Sequence, residues 1–230
     1  MPCRRPRSQG DPMRSRRTVL LAAALPLLAS PNVAAQVTLG VGVGASSSEL
    51  IVTGVAVDSQ EPRRSPAVSL SVAVPLSERV GIEFGAGYIR RGSTSTLLQL
   101  GDVDYRIQYL QISALGKASA PVIGQRLSVH FLAGPALRLE TSCEREARLV
   151  LQPITFLVEC DAPEADSRTA AIDYAVLGGV GARLAATSRL GFRLDFIYSR
   201  GLRSFFENET ETTARNRAVT LQAGVDYRIG

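Results

Sequence analysis

The chain contains no tryptophan, a single histidine and three cysteines among its 230 residues. Because zinc sites draw several histidine and cysteine side chains together, the lone His130 argues against a histidine-based metal site. No apolar run after residue 36 reaches the roughly 20 residues that a transmembrane helix needs. The sequence therefore predicts no transmembrane helix after residue 36, and the apolar stretch of the N-terminal region is too short to be one. We expect no metal and no cofactor.

What the chain does contain after residue 36 is a regular alternation of apolar with polar or small residues, the pattern of strands with one apolar face. Each alternating segment is close to the length of a tilted membrane strand, about 9–11 residues. In the fourth segment the apolar parity switches between Tyr109 and Leu110, which predicts a β-bulge or a strand end clear of the membrane. The alternation predicts eight strands, which begin near Val37, Val68, Val80, Tyr105, Leu127, Tyr174, Leu190 and Val219.

The predicted connections alternate strictly between short and long. Membrane barrels of bacteria sort their connections in this way, with short turns facing the periplasm and long loops facing outward. A soluble periplasmic β-protein, the architectural alternative, has no reason to do so. The sequence therefore predicts an all-β fold, an eight-stranded antiparallel up-and-down transmembrane β-barrel that occupies residues 36–230 as one domain. The short connections are 77–79, 118–125 and 186–189, and the long ones are 46–65, 91–104, 141–168 and 203–216.

Residues 1–35 have the pattern of a cleavable signal peptide, with Met13 as the expected start. Three arginines at positions 14–17 precede the apolar stretch 19–28, and residues 33–35 supply the small side chains that a signal peptidase needs. Residues 15–21 also resemble a twin-arginine signal. Because that route exports folded proteins and a barrel must cross the inner membrane unfolded, an ordinary secretory signal is favoured.

Removal of this leader changes what the composition implies. The formal net charge of +5 belongs to six arginines and one aspartate within residues 1–35, so the remaining chain is neutral and its charge does not indicate nucleic-acid binding. Cys143 and Cys160 remain as a pair in an exported protein, and a disulfide between them is predicted, with two free thiols as the alternative. No cysteine stands directly after the cleavage site, which argues against a lipoprotein anchor.

If the apolar face of the strands meets lipid, the other face must fill the lumen, and eight strands leave room there only for side chains. Buried charges have to be paired. The sequence therefore predicts a lumen closed by salt bridges, and a narrow ion path is the alternative. The inward charged or ionisable residues are Glu83, Lys117, His130, Arg138, Glu140, Asp173, Arg183, Arg193, Asp195, Asp226 and Arg228.

Four stretches in order resemble strands of the bacterial outer membrane β-barrel domain family, the porin-family or OmpA-like small barrels. They are GAGYIRRG at 85–92, YLQISALGK at 109–117, FLAGP at 131–135 and YSRGL at 198–202. The resemblance implies a small barrel in the cell outer membrane, in a family mostly without known activity. Residues 224–229 resemble the C-terminal signal for the barrel assembly machinery, which the resemblance implies as a partner, although Ile229 stands where the family usually has phenylalanine.

Arginines cluster at the predicted outer ends of the strands. Lipopolysaccharide presents phosphates at that level, and arginine suits phosphate recognition. The sequence therefore predicts contacts with the lipid A phosphates, most directly from Arg90, Arg91, Arg200 and Arg203, and an ordinary solvated rim is the alternative. The full set is Arg63, Arg64, Arg90, Arg91, Arg200, Arg203, Arg215 and Arg217.

Two further features have functional interpretations. His130 lies two residues from Ser128, a pairing that some outer-membrane lipid hydrolases use, but both side chains are expected to face the lumen, so an ordinary lumen histidine is favoured. The long connection 141–168 has an apolar centre, and we interpret it as a hairpin that could contact an extracellular partner or cover the barrel mouth.

The function that the sequence favours is a non-enzymatic outer-membrane barrel with a structural or surface-interaction role. Outer-membrane lipids and lipopolysaccharide are the expected partners, and nucleic acid is not. A narrow channel or a barrel that carries a hydrophobic ligand is the first alternative. An outer-membrane hydrolase is the second.

Overall fold

A computed structural model of the chain describes residues 36–53, 59–97, 101–124, 126–149, 155–159, 171–204 and 213–229. The predicted signal peptide, residues 1–35, lies outside the described residues. Within the described ranges no helix is long and apolar enough to cross a membrane. The strands in chain order are β1 (Val37–Thr53), β2 (Ser59–Pro75), β3 (Val80–Leu97), β4 (Gly101–Ile123), β5 (Leu127–Leu149), β6 (Thr155–Glu159), β7 (Ile172–Ala185), β8 (Leu190–Gly201) and β9 (Thr213–Ile229).

Eight of these strands close into a barrel. The hydrogen-bonded order is β4-β3-β2-β1-β9-β8-β7-β5, and a further pairing of β4 with β5 completes the ring. All neighbouring pairs are antiparallel, and β1 meets β9 with Val37 opposite Ile229. The predicted eight-stranded antiparallel β-barrel is confirmed. The short β6 is an additional strand outside the ring, and it pairs with the end of β5.

Side chains alternate between the outside and the lumen along the barrel strands, as the period of two requires. The outward side chains are apolar over the middle of the barrel, and Leu70 and Phe131 are 59% and 63% exposed. Soluble proteins rarely expose an apolar surface of this extent, whereas a membrane barrel places it against hydrocarbon. Further members of this band include Val41, Val43, Val68, Phe84, Ile112, Val176, Val180, Leu194, Phe196 and Leu221.

Tight turns join the strands at one end of the barrel, called here the turn end, and the opposite end is called the loop end. Two of the turns use the same device. The Ser77 hydroxyl accepts a hydrogen bond from the Val80 N–H at 3.1 Å, and the Thr187 hydroxyl accepts one from the Leu190 N–H at 2.9 Å. A side-chain oxygen thereby takes the place of a backbone partner where each chain reverses.

The strands are longer than the sequence predicts. β4 continues to Ile123 through most of the predicted connection 118–125, and the predicted loop 91–104 is largely strand, since β3 ends at Leu97 and β4 begins at Gly101. The predicted loop 46–65 is reduced in the same way by β1 and β2. The reason is that backbone hydrogen bonds continue between antiparallel strands whatever the polarity of the side chains, so the hydrophobic pattern marks only the middle of each strand.

The β-bulge predicted in the fourth strand lies instead on the neighbouring strand β5. β4 keeps its alternation, with Ile107 and Tyr109 buried in the lumen and Leu110 exposed outside. The register between β4 and β5 shifts after Gln108, and the additional residue is Thr141 on β5. The apolar parity of β4 changes because its loop-end residues face inward into a cluster of apolar side chains. That cluster comprises Ala67, Ile89, Ile107, Tyr109 and Cys143.

Candidate functional site

A network of buried charges fills the lumen near the turn end, and Arg193 on β8 lies at its centre. The Arg193 guanidinium contacts three carboxylates, those of Glu83 at 3.0 Å, Asp195 at 3.4 Å and Asp226 at 3.6 Å. Its side chain is 4% exposed, and the three acidic side chains are between 2% and 7% exposed. One cation thus joins acidic residues of β3, β8 and β9 across the barrel.

Each of these three carboxylates has a second partner. The Lys117 ammonium lies 2.9 Å from Glu83, the Arg183 guanidinium lies 3.3 Å from Asp226, and His130 Nε2 lies 2.8 Å from the Asp195 carboxylate. Apart from His130, three cations balance three anions. We call these seven residues the turn-end layer: Glu83, Lys117, His130, Arg183, Arg193, Asp195 and Asp226.

Gly181 makes room for the contact between His130 and Asp195. A Cβ atom at this position would collide with both the Asp195 carboxylate and the His130 ring. Both side chains are 2% exposed and held by their partners, so neither can move aside at little cost. The glycine is therefore required by the close approach of two buried side chains rather than by a turn.

An apolar belt lies across the lumen next to the turn-end layer. Its members come from β4, β5, β7 and β8, and most are less than 7% exposed. On the side of the lumen formed by these four strands, apolar side chains lie between the turn-end charges and a second group of polar residues nearer the loop end. The belt comprises Leu115, Leu132, Ala136, Ala175 and Leu177, with Ile197 packed against them.

The second polar group, called the loop-end layer, contains an ion pair between Arg138 and Asp173. Arg138 Nη1 donates to the Asp173 carboxylate at 2.9 Å, and Arg138 Nε donates to the Gln111 side-chain oxygen at 3.1 Å. The Arg138 side chain is fully buried. Arg91 lies in the same layer and donates to Ser199 Oγ at 2.9 Å and to Asn216 Oδ1 at 3.4 Å.

A cavity of about 70 Å³ lies between the two polar layers. Glu83, Arg193 and Asp195 bound it toward the turn end, and Arg91 and Ser199 bound it toward the loop end. Hydroxyl and amide groups, together with belt residues, form its sides. A water molecule occupies about 30 Å³ in the liquid. The cavity is therefore large enough for water-sized occupants.

The structure places the predicted lumen residues as follows. Nine form the ion pairs described above, and these are Glu83, Lys117, His130, Arg138, Asp173, Arg183, Arg193, Asp195 and Asp226. Glu140 and Arg228 are partly buried on inward positions of β5 and β9. Within the described ranges no cluster of His, Cys, Asp and Glu side chains is arranged to hold a metal.

The structure does not place His130 in contact with Ser128, the serine that could act as a nucleophile. His130 is 2% exposed and bound to Asp195, whereas Ser128 lies one inward position closer to the turn end on the same strand. Among the described hydrogen bonds none joins Ser128 to His130. A hydrolase would need a serine in contact with the imidazole and open to a lipid or peptide. This geometry gives the hydrolase alternative no support.

Most of the arginines predicted at the outer rim are exposed there, but the prediction for Arg91 is wrong. The prediction gave Arg91 a lipid A phosphate, but its side chain is 2% exposed and points into the lumen, because neighbouring residues of a strand face opposite sides. Arg90 is exposed outside, with its guanidinium carbon 6.0 Å from the Tyr88 ring centre. The other arginines that are exposed at this end are Arg64, Arg200, Arg203, Arg215 and Arg217.

Two rim arginines have acidic partners. Arg217 pairs with Glu49 on β1, and this contact raises the pKa of Arg217. Arg63 donates to the Asp104 carboxylate at 2.6 Å, and Arg106 contacts the same carboxylate at 3.1 Å. Partial burial raises the pKa of Asp104, but the hydrogen bonds and charges of the two arginines outweigh it and hold that pKa below its ordinary value.

The predicted disulfide has one cysteine within the described residues. Cys143 is 8% exposed in the loop-end apolar cluster, and Cys160 lies outside the described residues. β5 and β6 pair with Glu144 opposite Glu159, so the chain neighbours of the two cysteines face each other. This register supports the interpretation of 141–168 as a hairpin, and the disulfide stays a prediction. The remainder of that connection lies outside the described residues.

Sequence reasoning missed the neutral polar residues of the lumen. Gln111, Ser199 and Asn216 hold the arginines of the loop-end layer, and Gln222 donates to Ser69. Their inward parity was visible in the sequence. A search restricted to charged residues passed over them.

The sequence matches the family described as outer membrane protein beta-barrel domain over residues 22–207, which confirms the resemblance drawn from the motifs. The barrel is similar to the outer membrane protein OprG of Pseudomonas aeruginosa, at 10% identity and a TM-score of 0.53 over 85% of this chain and 96% of that chain. Neisserial surface protein A matches at 11% identity and a TM-score of 0.45, over 83% and 97% of the two chains. The similarity to OprG shows a shared fold alone. No curated protein matches the sequence.

Proposed function

The chain belongs to the family of outer membrane protein β-barrel domains, and on that premise we propose that it is a non-enzymatic, integral outer-membrane protein with a closed lumen. Its role in this proposal is to support the envelope and to contact the surroundings through its loop end. The observation that carries the proposal is the filling of the lumen. Two polar layers with paired charges flank an apolar belt, and the cavity between the layers measures only about 70 Å³.

A closed lumen favours this role over that of a channel. A conducting path requires continuous space for hydrated ions, and the buried pairs around Arg193 and Arg138 occupy that space. Opening the path would separate charges that are less than about one-eighth exposed, which is costly in a medium of low dielectric constant. The narrow-channel alternative therefore needs a rearrangement of the lumen.

Conductance in planar lipid bilayers tests the closed lumen. We expect the refolded protein to insert without discrete current steps above those of a protein-free membrane. A wide-pore porin inserted into the same membrane serves as the control for sensitivity. Steps from the unmodified protein would contradict the proposal and favour the narrow channel.

The second part of the proposal is that the exposed arginines at the loop end bind lipid phosphates. Arg64, Arg90, Arg200 and Arg215 lie on β2, β3, β8 and β9, which together with β1 form one continuous arc of the barrel. Guanidinium groups bind phosphate oxygens through paired N–H donors. An arc of such groups just beyond the apolar band lies at the level of the lipid head groups.

Stability in two lipid mixtures tests this arc. We expect lipopolysaccharide to raise the unfolding midpoint of the unmodified protein relative to phosphatidylcholine, and we expect Arg90→Gln combined with Arg200→Gln to reduce that difference. Arg63→Gln is the matched control, because Arg63 is already engaged by Asp104. If the double variant keeps the full difference, the arginines form an ordinary solvated rim. Mass analysis of lipid A with and without the protein checks the absence of hydrolase activity.

A further inference from the structure

An arginine stands directly before three of the barrel strands at the turn end. Arg79, Arg126 and Arg189 precede the first residues of β3, β5 and β8, and all three are exposed. Two of them share a local sequence, with a serine or threonine two positions before the arginine. Each turn therefore places one cation at the point where the chain re-enters the barrel.

Backbone hydrogen bonds fix the position of these three arginines. Their carbonyl oxygens accept from the neighbouring strands at 2.7 or 2.8 Å. The turns before β3 and β8 add a second bond, in which the serine or threonine hydroxyl accepts from the arginine N–H at 3.4 Å and 3.2 Å. The arginines are thus held by the backbone pairing that closes the barrel. The donors to the carbonyls are the N–H groups of Ser119 for Arg79, Ala185 for Arg126 and Arg228 for Arg189.

The register places these side chains on the inward face, around the turn-end mouth of the lumen. Each precedes a member of the turn-end layer by four residues, and an even spacing along a strand keeps side chains on one face. Arg228, two residues after Asp226 on β9, lies at the same level and is partly buried. We call these four residues the turn-end arginines: Arg79, Arg126, Arg189 and Arg228.

The carboxylates near the turn-end arginines are engaged elsewhere. In the turn-end layer both oxygens of each carboxylate already contact a lysine, arginine or histidine of that layer. Glu78 is the one exposed acidic side chain that the described residues place at this end of the barrel. The mouth therefore carries more positive than negative charge, and it is open to solvent.

The outward positions at the same end are apolar. Leu76, Val80, Val122 and Ile229 are between 49% and 59% exposed, and within the described ranges no basic residue occupies an outward position of the strands there. At the loop end, by contrast, exposed arginines stand on the outward face. Lipid surrounds the barrel from outside. A ligand of the turn-end arginines therefore approaches the mouth from the aqueous side.

The spacing of the arginines indicates the kind of ligand. β5 is two strands from β3 and two strands from β8 in the ring, and neighbouring strands lie about 4.8 Å apart, so these cations are about 10 Å from one another along the mouth. The paired charges of the turn-end layer close the lumen beneath them. The arrangement suits a ligand with several separated negative groups that stays at the mouth, because each group adds a contact to one already made.

From these features we infer that the turn-end arginines bind a polymer with repeated carboxylates on the periplasmic side, the peptide stems of the cell wall. Guanidinium groups bind carboxylates through paired N–H donors. The inference rests on the proposed place of the barrel in the outer membrane, where short turns face the periplasm. It does not depend on the lipid contacts of the loop end.

Sedimentation with purified cell-wall sacculi tests the inference. The full-length mature barrel, refolded in zwitterionic detergent micelles, is mixed with sacculi at low ionic strength and centrifuged. We expect the barrel to sediment with the sacculi and to be released as salt is added, since salt screens contacts between exposed charges. Sacculi whose carboxylates have been amidated should retain little of the protein. Absence of binding to untreated sacculi, or equal binding to amidated sacculi, would overturn the inference.

Two double variants that lose the same charge locate the binding surface. Arg79→Gln with Arg189→Gln should weaken the binding to sacculi by about tenfold, the change expected from two exposed ion pairs. Arg63→Gln with Arg217→Gln, at the loop end, should leave the binding unchanged, and Arg79→Lys with Arg189→Lys should retain it because the charge is kept. The mobility of unboiled samples on a gel checks that each variant is folded. Equal weakening by both glutamine pairs would show attraction by net charge alone and contradict a surface at the turn end.

Soluble competitors separate a carboxylate polymer from lipid head groups. We expect poly-L-glutamate to release the barrel from sacculi and dihexanoyl phosphatidylglycerol, at the same concentration of negative charge, to leave it bound. Release by the phospholipid alone would assign the arginines to lipid phosphates and refute the inference. All of these assays use the barrel in micelles, so current steps in a bilayer would contradict the closed lumen without affecting the binding to sacculi.

Discussion

Replacing Arg193 with methionine should be among the most destabilising single changes in the lumen. The substitution keeps most of the side-chain length and removes the one cation that contacts Glu83, Asp195 and Asp226 together. Lys117 and Arg183 still neutralise two of these carboxylates, so the deficit falls on Asp195, which keeps only His130. Leaving one partner of a buried ion pair without compensation costs about 3–5 kcal/mol. We expect a loss of this size in the free energy of unfolding.

The assay is urea unfolding of the refolded barrel, followed by the mobility of unboiled samples on a gel, since the chain has no tryptophan to report on folding. Arg217→Met is the matched control. It removes the same group from a pair in which the arginine side chain is 47% exposed, and exposed pairs contribute about 0–1 kcal/mol.

A second substitution sharpens the test. Adding Asp195→Asn to Arg193→Met removes the carboxylate that has lost its cation, so part of the lost stability should return. Equal losses for Arg193→Met and Arg217→Met would refute the reasoning that buried charge pairs hold the lumen together. The reasoning would also be refuted if Asp195→Asn lowered the stability of the Arg193→Met variant by as much as it lowers that of the unmodified protein.

Three more predictions follow from separate contacts. Gly181→Ala should destabilise the barrel by about 1–3 kcal/mol, because the new Cβ would collide with the buried His130 and Asp195 side chains. Gly178→Ala, whose Cβ meets no atom within 4 Å, should be nearly neutral, and urea midpoints compare the two variants. Asp104→Asn should lower stability at neutral pH, and its difference from the unmodified protein should vanish as the pH falls through the lowered pKa of Asp104, because the carboxylate loses its charge there; unfolding at several pH values measures this. Finally, Cys143 and Cys160 should resist alkylation until a reductant is added, and replacing both with serine should cost about 3 kcal/mol of stability. Immediate alkylation of the unreduced protein would favour two free thiols.

The barrel architecture was predictable because successive side chains of every membrane strand face lipid and lumen in turn, so apolar and polar residues alternate in the sequence. The ends of the strands were not, since the loop-end half of β3 and the turn-end part of β4 carry no apolar alternation, although their backbone hydrogen bonds continue. Arg91 follows Glu83 by eight residues on β3, and an even spacing along a strand puts both side chains on the same, inward face. Alternation alone could have assigned Arg91 to the lumen, and the prediction failed because it treated the adjacent arginines as a pair.

The partners within the lumen were beyond the reach of sequence reasoning. Arg193 on β8 meets Glu83 on β3, and these residues are separated by 110 positions. Their strands are not neighbours in the sheet, so no pairing rule between adjacent strands brings them together. The contact depends on the tilt of the strands and on the curvature of the closed ring. Balanced numbers of acidic and basic residues on the inward face indicated that pairs would form without indicating which.

The apolar belt also bears on the order in which the barrel assembles. Its residues lie on β4, β5, β7 and β8, which are consecutive in the ring, and neighbouring strands in this half are close in the chain. The seam between β1 and β9 instead joins Val37 to Ile229, from opposite ends of the barrel sequence. Contacts between distant parts of a chain form late, because their loop-closure entropy must first be overcome. The belt gives the four-strand half an apolar surface to bury while the seam is still open, and this favours closure of the seam as the last step.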